Sequence, residues 1–217
     1  MARDVGLVVA LDLTDKSKAL EIAEEVRDYV DMIKINYPLV LSAGISIIEE
    51  LSEIKPVVAD FKIADIPYTS GLIAQIAFKW KAKALICHGF VGSDTVKAIL
   101  NVAKNFDGEV YVVSELSSAG GREYMSKHSN EIAKMAKELG CHGIIAPATR
   151  VDRVAELREI VGDLKIFSPG IGAQRGDMEV VKYVDYIIVG RSIYNAKNPK
   201  KAAEEIIKRI ESIENLK

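Results

Sequence analysis

A (β/α)8 barrel is the fold class this sequence predicts, and three observations carry the prediction. Eight short Val/Ile/Leu-rich runs recur along the 217 residues. Their C-terminal edges, at Asp12, Asn36, Lys62, His88, Ser114, Ala146, Ser168 and Gly190, lie 24, 26, 26, 26, 32, 22 and 22 residues apart, about one strand-plus-helix unit each. Helical patterns fill the intervals, and no Pro/Ser linker or low-complexity stretch divides the chain. Eight alternating units with right-handed crossovers close into a single barrel domain over residues 1–217. An open doubly wound sheet is the alternative. The even spacing and the lack of a Gly-rich loop after the first strand argue against it.

The strands are predicted at 6–11, 32–35, 56–61, 84–87, 109–113, 143–145, 165–167 and 186–189. Among the helices, 17–29 carries Leu20, Ala23 and Val26 on one stripe. The 93–106 segment places Val96, Ile99, Leu100 and Ala103 at i, i+3, i+4 and i+7. A helix over 130–139 stops at Gly140, a good C-cap. The last, 199–213, starts with Pro199 in its first turn behind the N-cap Asn198.

Composition narrows the function classes. With 49% hydrophobic residues and 6% aromatics, the chain has an ample aliphatic core. Lys plus Arg number 29 against 31 acids, a net charge of -2, so neither a nucleic acid nor a membrane surface is an expected partner. Any anionic ligand must therefore be held by local donors. No apolar run approaches the ~18 residues of a membrane span, and the N-terminus opens straight into a strand, so no signal peptide is expected. Cys87 and Cys141 show no metal spacing and read as buried thiols, which suits a reducing cytoplasm.

The third predicted strand is the most informative segment. In Asp60-Phe61-Lys62-Ile63-Ala64-Asp65-Ile66-Pro67-Tyr68-Thr69, an apolar run ends in charges spaced D-x-K-x-x-D. Strand residues two apart share a face, so Asp60 and Lys62 should project together, with Asp65 in the loop beyond. Acid–lysine pairs four apart commonly make solvated helix bridges, but five strand-like residues precede Asp60, and Pro67 confines helix to the positions after it. Burying such charges is costly unless they are paired, which makes them candidates for chemistry. Asp12 closes the first strand, and Lys34 alternates with Ile33 and Ile35 in the second. Active sites of this fold sit at the C-terminal strand ends, so Asp12, Lys34, Asp60 and Lys62 should meet at the barrel mouth.

A second constellation, Ser168-Pro169-Gly170-Ile171-Gly172-Ala173-Gln174, follows strand seven, and Gly190-Arg191 follows strand eight. These are the usual phosphate-binding loops of the fold. The glycines let backbone N–H groups approach an anion, Gln174 offers an amide and Arg191 a bidentate fork. A phosphate monoester is the expected ligand. His88 also reaches the mouth, but a packing role is expected there, and His128 and His142 read as surface residues. Trp80, between Lys79 and Lys81, is expected to be exposed and has no functional account.

The run from Asp60 to Thr69 resembles the signature of the orotidine 5'-phosphate decarboxylase family. The blocks at Asp12, Lys34-Ile35-Asn36-Tyr37-Pro38-Leu39, Ser117, Ser168–Gln174 and Gly190-Arg191 resemble the same family's other segments, in order. The resemblance implies conversion of orotidine 5'-monophosphate to UMP in pyrimidine biosynthesis, with no metal or organic cofactor, by a homodimer with shared sites. Lys62 would be the proton donor and Asp60 would lie beside the substrate carboxylate. Lys34 and Asp65 would extend an alternating charge chain, with Asp65 and Thr69 reaching the partner's site. Asp12 and Lys34 would bind ribose hydroxyls, Ser117 the pyrimidine amide edge, and Gln174 and Arg191 the phosphate, Gln174 lying on a lid. Ile66, Pro169, Gly170, Gly172 and Gly190 complete the expected substrate-contacting set. Asn36 departs from the glycine expected in the second block, and Arg175 from a small residue. Two other readings share the framework. In metal-dependent phosphosugar enzymes such as hexulose-phosphate synthase, a glutamate ligand would stand where this chain has Lys34, whose ammonium would repel the cation. A non-catalytic nucleotide-binding barrel would lack the proton donor, yet Lys62 is present.

Overall fold

The computed structural model describes residues 5–172 and 176–215. Eight parallel strands follow one another around a closed barrel, and the first also pairs with the eighth. The chain runs β1 (Gly6–Ala10), α1 (Lys16–Val26), β2 (Met32–Ile35), α2 (Tyr37–Ala43), α3 (Ile47–Ser52), β3 (Val57–Ile63), α4 (Pro67–Lys79), β4 (Ala84–His88) and α5 (Ser93–Ala103). It continues through β5 (Glu109–Val113), α6 (Met125–Glu138), β6 (Gly143–Ile145), α7 (Val151–Val161), β7 (Lys165–Pro169), β8 (Tyr186–Val189), α8 (Arg191–Tyr194) and α9 (Pro199–Glu214). All eight predicted strands are present, and the fold class is the expected one.

Local chemistry explains most element ends. The Asp15 side chain accepts the Lys18 amide at 3.0 Å to start α1, and Asn198 accepts the Lys201 amide at 2.8 Å to start α9. Past α6, Gly140 takes the left-handed conformation at φ +72° that suits a residue without a Cβ. Three elements differ from expectation. Helix α6 starts at Met125 rather than at 130, because Ser126 and Ser129 turn their hydroxyls onto buried Glu115 instead of marking a polar loop. Among the described residues, the β7–β8 crossover carries a 3-10 segment, Met178–Lys182, capped by Asp177, in place of an α-helix. Trp80 is half-buried against the core at the end of α4, and the residue with positive φ in that turn is Lys81, at +68°.

Strand β3 departs from regular pairing where it matters most. Ala59 pairs with Leu85 and Ile63 with Cys87, so Asp60, Phe61 and Lys62 all stand opposite Ile86. The surplus is taken up as a bulge in which Lys62 has φ +43°, a costly conformation for a residue with a Cβ. Phe61 is buried and stacks on Tyr37 with ring centroids 5.3 Å apart, which fixes the bulge against the start of α2. Asp60 and Lys62 do project together as expected, but through a bulge rather than through simple alternation.

The opposite end of the barrel is closed by aromatic rings. Phe167 stacks on Tyr186 and meets Tyr111 at a tilt, each centroid pair 4.4 Å apart. The Tyr111 hydroxyl donates to Glu109, which also takes the Lys165 ammonium at 3.1 Å. Gly143 is required here, since a Cβ would run into the Lys165 carbonyl and the Tyr111 ring. The molecule is thus plugged below and open above.

Candidate active site

A cavity of about 200 Å³ opens at the C-terminal strand ends. Its apolar floor includes Ala10, Ile86, Val113, Ile145 and Ile188, one residue from each of five strands. Above this floor the predicted charges form one chain of alternating sign. The Lys34 ammonium lies 3.3 Å from Asp12 and 2.9 Å from Asp60, and Lys62 lies 2.7 Å from Asp60. Lys34 and Asp60 are each only 5% exposed, whereas the Lys62 side chain is 38% exposed. The chain is therefore buried in the middle and open at Lys62, a cation aimed into the cavity.

The electrostatics follow from this order. Burial alone would raise the pKa of Asp60, but Lys34 and then Lys62 outweigh it and hold the carboxyl below its usual range. Burial likewise opposes charge on Lys34, yet Asp60 and Asp12 together lift its pKa above the ordinary lysine value. The two buried members, Asp60 and Lys34, are therefore both ionised at neutral pH, each neutralised by the other. His88, the last residue of β4, is a different case. Burial and then the Lys62 charge push its pKa down to about 4, its ring packs on Phe90, and its Nδ1 is buried without a partner among the described residues. It is neutral at physiological pH, in keeping with the expected packing role.

Ser117, Pro169, Gly170, Gly190 and Arg191 line the same cavity, as does Asn36. Gly170 and Gly172 both have positive φ, at 112° and 80°. Gly172 does not line the cavity, and its Cα packs where a Cβ would strike Ser192. Gln174 and Arg175 lie outside the described residues. Asp65, Ile66 and Thr69 stay apart from the cavity within this chain. Asp65 is exposed and its carboxylate accepts the Ile66 amide at 2.7 Å, while its carbonyl is gripped by the hydroxyls of Ser70 and Thr95. Among the described residues Asp65 pairs with no cation. His128 lies on α6 and pairs with Glu131, and exposed His142 accepts the Val110 amide. Cys87 and Cys141 are free and buried, and burial raises both thiols, Cys141 to about 12. No helix among the described residues is long and apolar enough to cross a membrane.

The sequence reading missed Glu115. This carboxylate, 1% exposed, follows β5 and lines the cavity two residues before Ser117. It accepts from Ser126 at 2.7 Å, Ser129 at 3.2 Å, Arg153 at 3.4 Å and Arg150. Arg150 also donates to the Ser118 carbonyl at 3.0 Å, so the turn that carries Ser117 is tied to α6 and to the start of α7. An acid two residues beyond an apolar strand was the one local signal, weaker than the one that marked Asp60, which stands within its strand.

Comparison with known proteins places the chain in a family. Residues 6–206 match the family model "Orotidine 5'-phosphate decarboxylase / HUMPS family". Orotidine 5'-phosphate decarboxylase of Methanosarcina mazei is 49% identical over 215 residues, covering 98% of each chain. The Methanococcoides burtonii protein of the same name is 51% identical over 209 residues, 95% of this chain and 97% of the relative. The crystal structure of orotidine 5'-monophosphate decarboxylase from Methanocaldococcus jannaschii complexed with inhibitor BMP superposes with a TM-score of 0.92 at 44% identity, covering 95% of this chain and 98% of that one.

Proposed function

The chain belongs to the orotidine 5'-phosphate decarboxylase / HUMPS family, and from that premise we propose that it decarboxylates orotidine 5'-monophosphate to UMP and CO2 through Lys62. The observation that carries the reading is the alternating row Asp12–Lys34–Asp60–Lys62, with its one accessible ammonium facing the cavity.

Loss of CO2 leaves an electron pair at C6 in the plane of the pyrimidine ring, where the ring π-system cannot delocalise it. A fixed, preoriented cation stabilises that charge as it forms. Lys62 supplies the cation and then its proton, closing the C6–H bond. Asp60 keeps Lys62 charged and aimed, and its own charge beside the substrate carboxylate favours departure of CO2. Asp12 and Lys34 take ribose hydroxyls, Ser117 the pyrimidine amide edge, and Arg191, the Gly170–Gly172 backbone and Gln174 the phosphate. Phosphate binding far from C6 contributes orientation to the reaction. Residues 1–217 act as one domain with no metal or organic cofactor. A divalent cation at this site would have to displace the Lys34 ammonium that already bridges Asp12 and Asp60.

The working unit in this reading is a homodimer. Tyr68, Leu72 and Ile76 recur every four residues along α4 and are exposed, as is Ile66 at its start. An apolar stripe of this kind fits a two-fold contact. It would carry Asp65, Ile66 and Thr69 to the partner's cavity. The two buried free thiols support residence in a reducing cytoplasm.

The test of the chemistry is loss of orotidine 5'-monophosphate absorbance in the presence of EDTA. Full turnover is expected, and loss of activity on chelation would favour the metal-dependent phosphosugar reading. For the dimer, chains carrying Lys62→Ala are mixed with chains carrying Asp65→Ala. Recovery of up to one working site per heterodimer is expected, and no recovery refutes the shared site.

A further inference from the structure

Asn36 stands at the end of β2 as the N-cap of α2, yet neither usual reason for asparagine applies there. Its φ of −139° is extended, so it does not serve a left-handed turn. It makes no capping hydrogen bond, and the N2 position is Pro38, which has no N–H to offer. The side chain instead lines the cavity beside Lys34, Asp60 and Lys62. Being two residues beyond Lys34 on an extended backbone, it occupies the next rung on the same face, toward the opening. Its Oδ1 is buried and has no hydrogen-bond partner among the described residues. An orphaned buried acceptor is unfavourable, so the residue is held against the interest of stability.

We propose that Asn36 is a specificity-determining residue whose carboxamide oxygen accepts a hydrogen bond from a ribose hydroxyl of the substrate. The inference rests on the function proposed above and deepens it. The choice of group follows from donor chemistry. The vacant atom is an acceptor and requires a donor. At neutral pH the phosphate and carboxylate of orotidine 5'-monophosphate are acceptors, which leaves the pyrimidine N–H and the ribose hydroxyls. The pyrimidine edge is assigned to Ser117, on the β5 side. The hydroxyls are assigned to Asp12 and Lys34, and Lys34 shares a strand with Asn36. The terminal torsion of an asparagine is soft, so a turn about Cβ–Cγ presents the oxygen when the hydroxyl arrives. A neutral amide also adds this contact without altering the charge balance around Lys62.

The experiment compares wild type, Asn36→Ala and Asn36→Gly on orotidine 5'-monophosphate and on its 2'-deoxy and 3'-deoxy analogues. In both variants KM for the ribonucleotide is expected to rise about tenfold, the equivalent of one ordinary hydrogen bond, with kcat nearly kept. One of the two deoxy analogues should lose its disadvantage in the variants, because the partner it lacks is gone from the protein too. Melting temperatures equal to or above wild type are expected, since an unsatisfied acceptor has been removed. Unchanged KM together with unchanged discrimination against both analogues overturns the proposal, as does a variant that melts markedly lower, which would make Asn36 architectural. Absence of turnover by the wild type refutes the proposed function itself, and with it this inference.

Discussion

Asp60 and Glu115 are two buried carboxylates at C-terminal strand ends of one barrel, and each is held by two cations. Asp60 is paired with lysines, Lys34 and Lys62. Glu115 is paired with arginines, Arg150 and Arg153, and takes two serine hydroxyls as well. In each case burial pushes the carboxyl up and its partners more than reverse this. The electrostatic arithmetic is alike, but the chemistry differs. A lysine ammonium is a compact charge that can surrender a proton, whereas a guanidinium stays charged and grips several acceptors at once. One end of the Asp60 cluster presents a free-ended ammonium to the cavity, whereas each Glu115 oxygen is already taken by two donors. The difference separates a group that reacts from a group that holds a loop.

Exchanging the cation types breaks the comparison most sharply. Lys62→Arg keeps the charge beside Asp60 but has no proton to give, so kcat is expected to fall by about 10³-fold or more. Arg150→Lys keeps a cation on Glu115 and loses the bond to the Ser118 carbonyl. It should cost less than about tenfold, mainly in KM, because the Ser117 turn loosens while the reacting groups stay. Steady-state kinetics on the two purified variants read both effects, and similar losses would erase the distinction.

Stability gives the next largest effect. Glu115→Ala strands two arginines, one of them almost fully buried, and should destabilise the fold by about 3–5 kcal/mol. Denaturant unfolding measures this, and a loss under about 1 kcal/mol would show that the network is not structural.

The smallest effects lie in pH. Both carboxyls have depressed pKa values in the fold, so their stabilisation is complete above the unfolded value of about 4 and disappears as pH falls through the lower folded values. Lys34 has the opposite sign. Its raised pKa gives stabilisation that is present below about 10.5 and lost as pH climbs past the folded value. Between these limits His88 stays neutral, with its pKa near 4. Hence kcat at saturating substrate should be flat from about pH 5.5 to 8. A step near pH 6.5 that is absent from a His88→Ala variant would contradict the depressed His88 value and give that ring a role in turnover.

The two clusters also differ in how much of them the sequence reveals. Asp60 and Lys62 interrupt an apolar strand two positions apart, so their oddity is local. Glu115 finds its arginines 35 and 38 residues further along the chain, and no short window contains the pair. The barrel itself was legible because its repeat is regular, and departures from that repeat were not. The bulge at Asp60–Lys62 depends on register against β4, which one strand cannot report. The early start of α6 depends on serines whose polar appearance hides a buried partner. Asp65 was placed correctly beyond β3, but its carboxylate turns away from its own Lys62, and only a second subunit gives it work in the proposed mechanism.

The half-buried indole at the end of α4 is the one tryptophan in the chain. It sits at the plugged end of the barrel, far along the fold from the cavity that would take a nucleotide. Indole fluorescence from this protein, excited selectively over its eight tyrosines, therefore comes from a single emitter that senses whether α4 is seated. Unfolding should change the emission strongly and ligand uptake hardly at all, so the two processes can be followed independently in one cuvette.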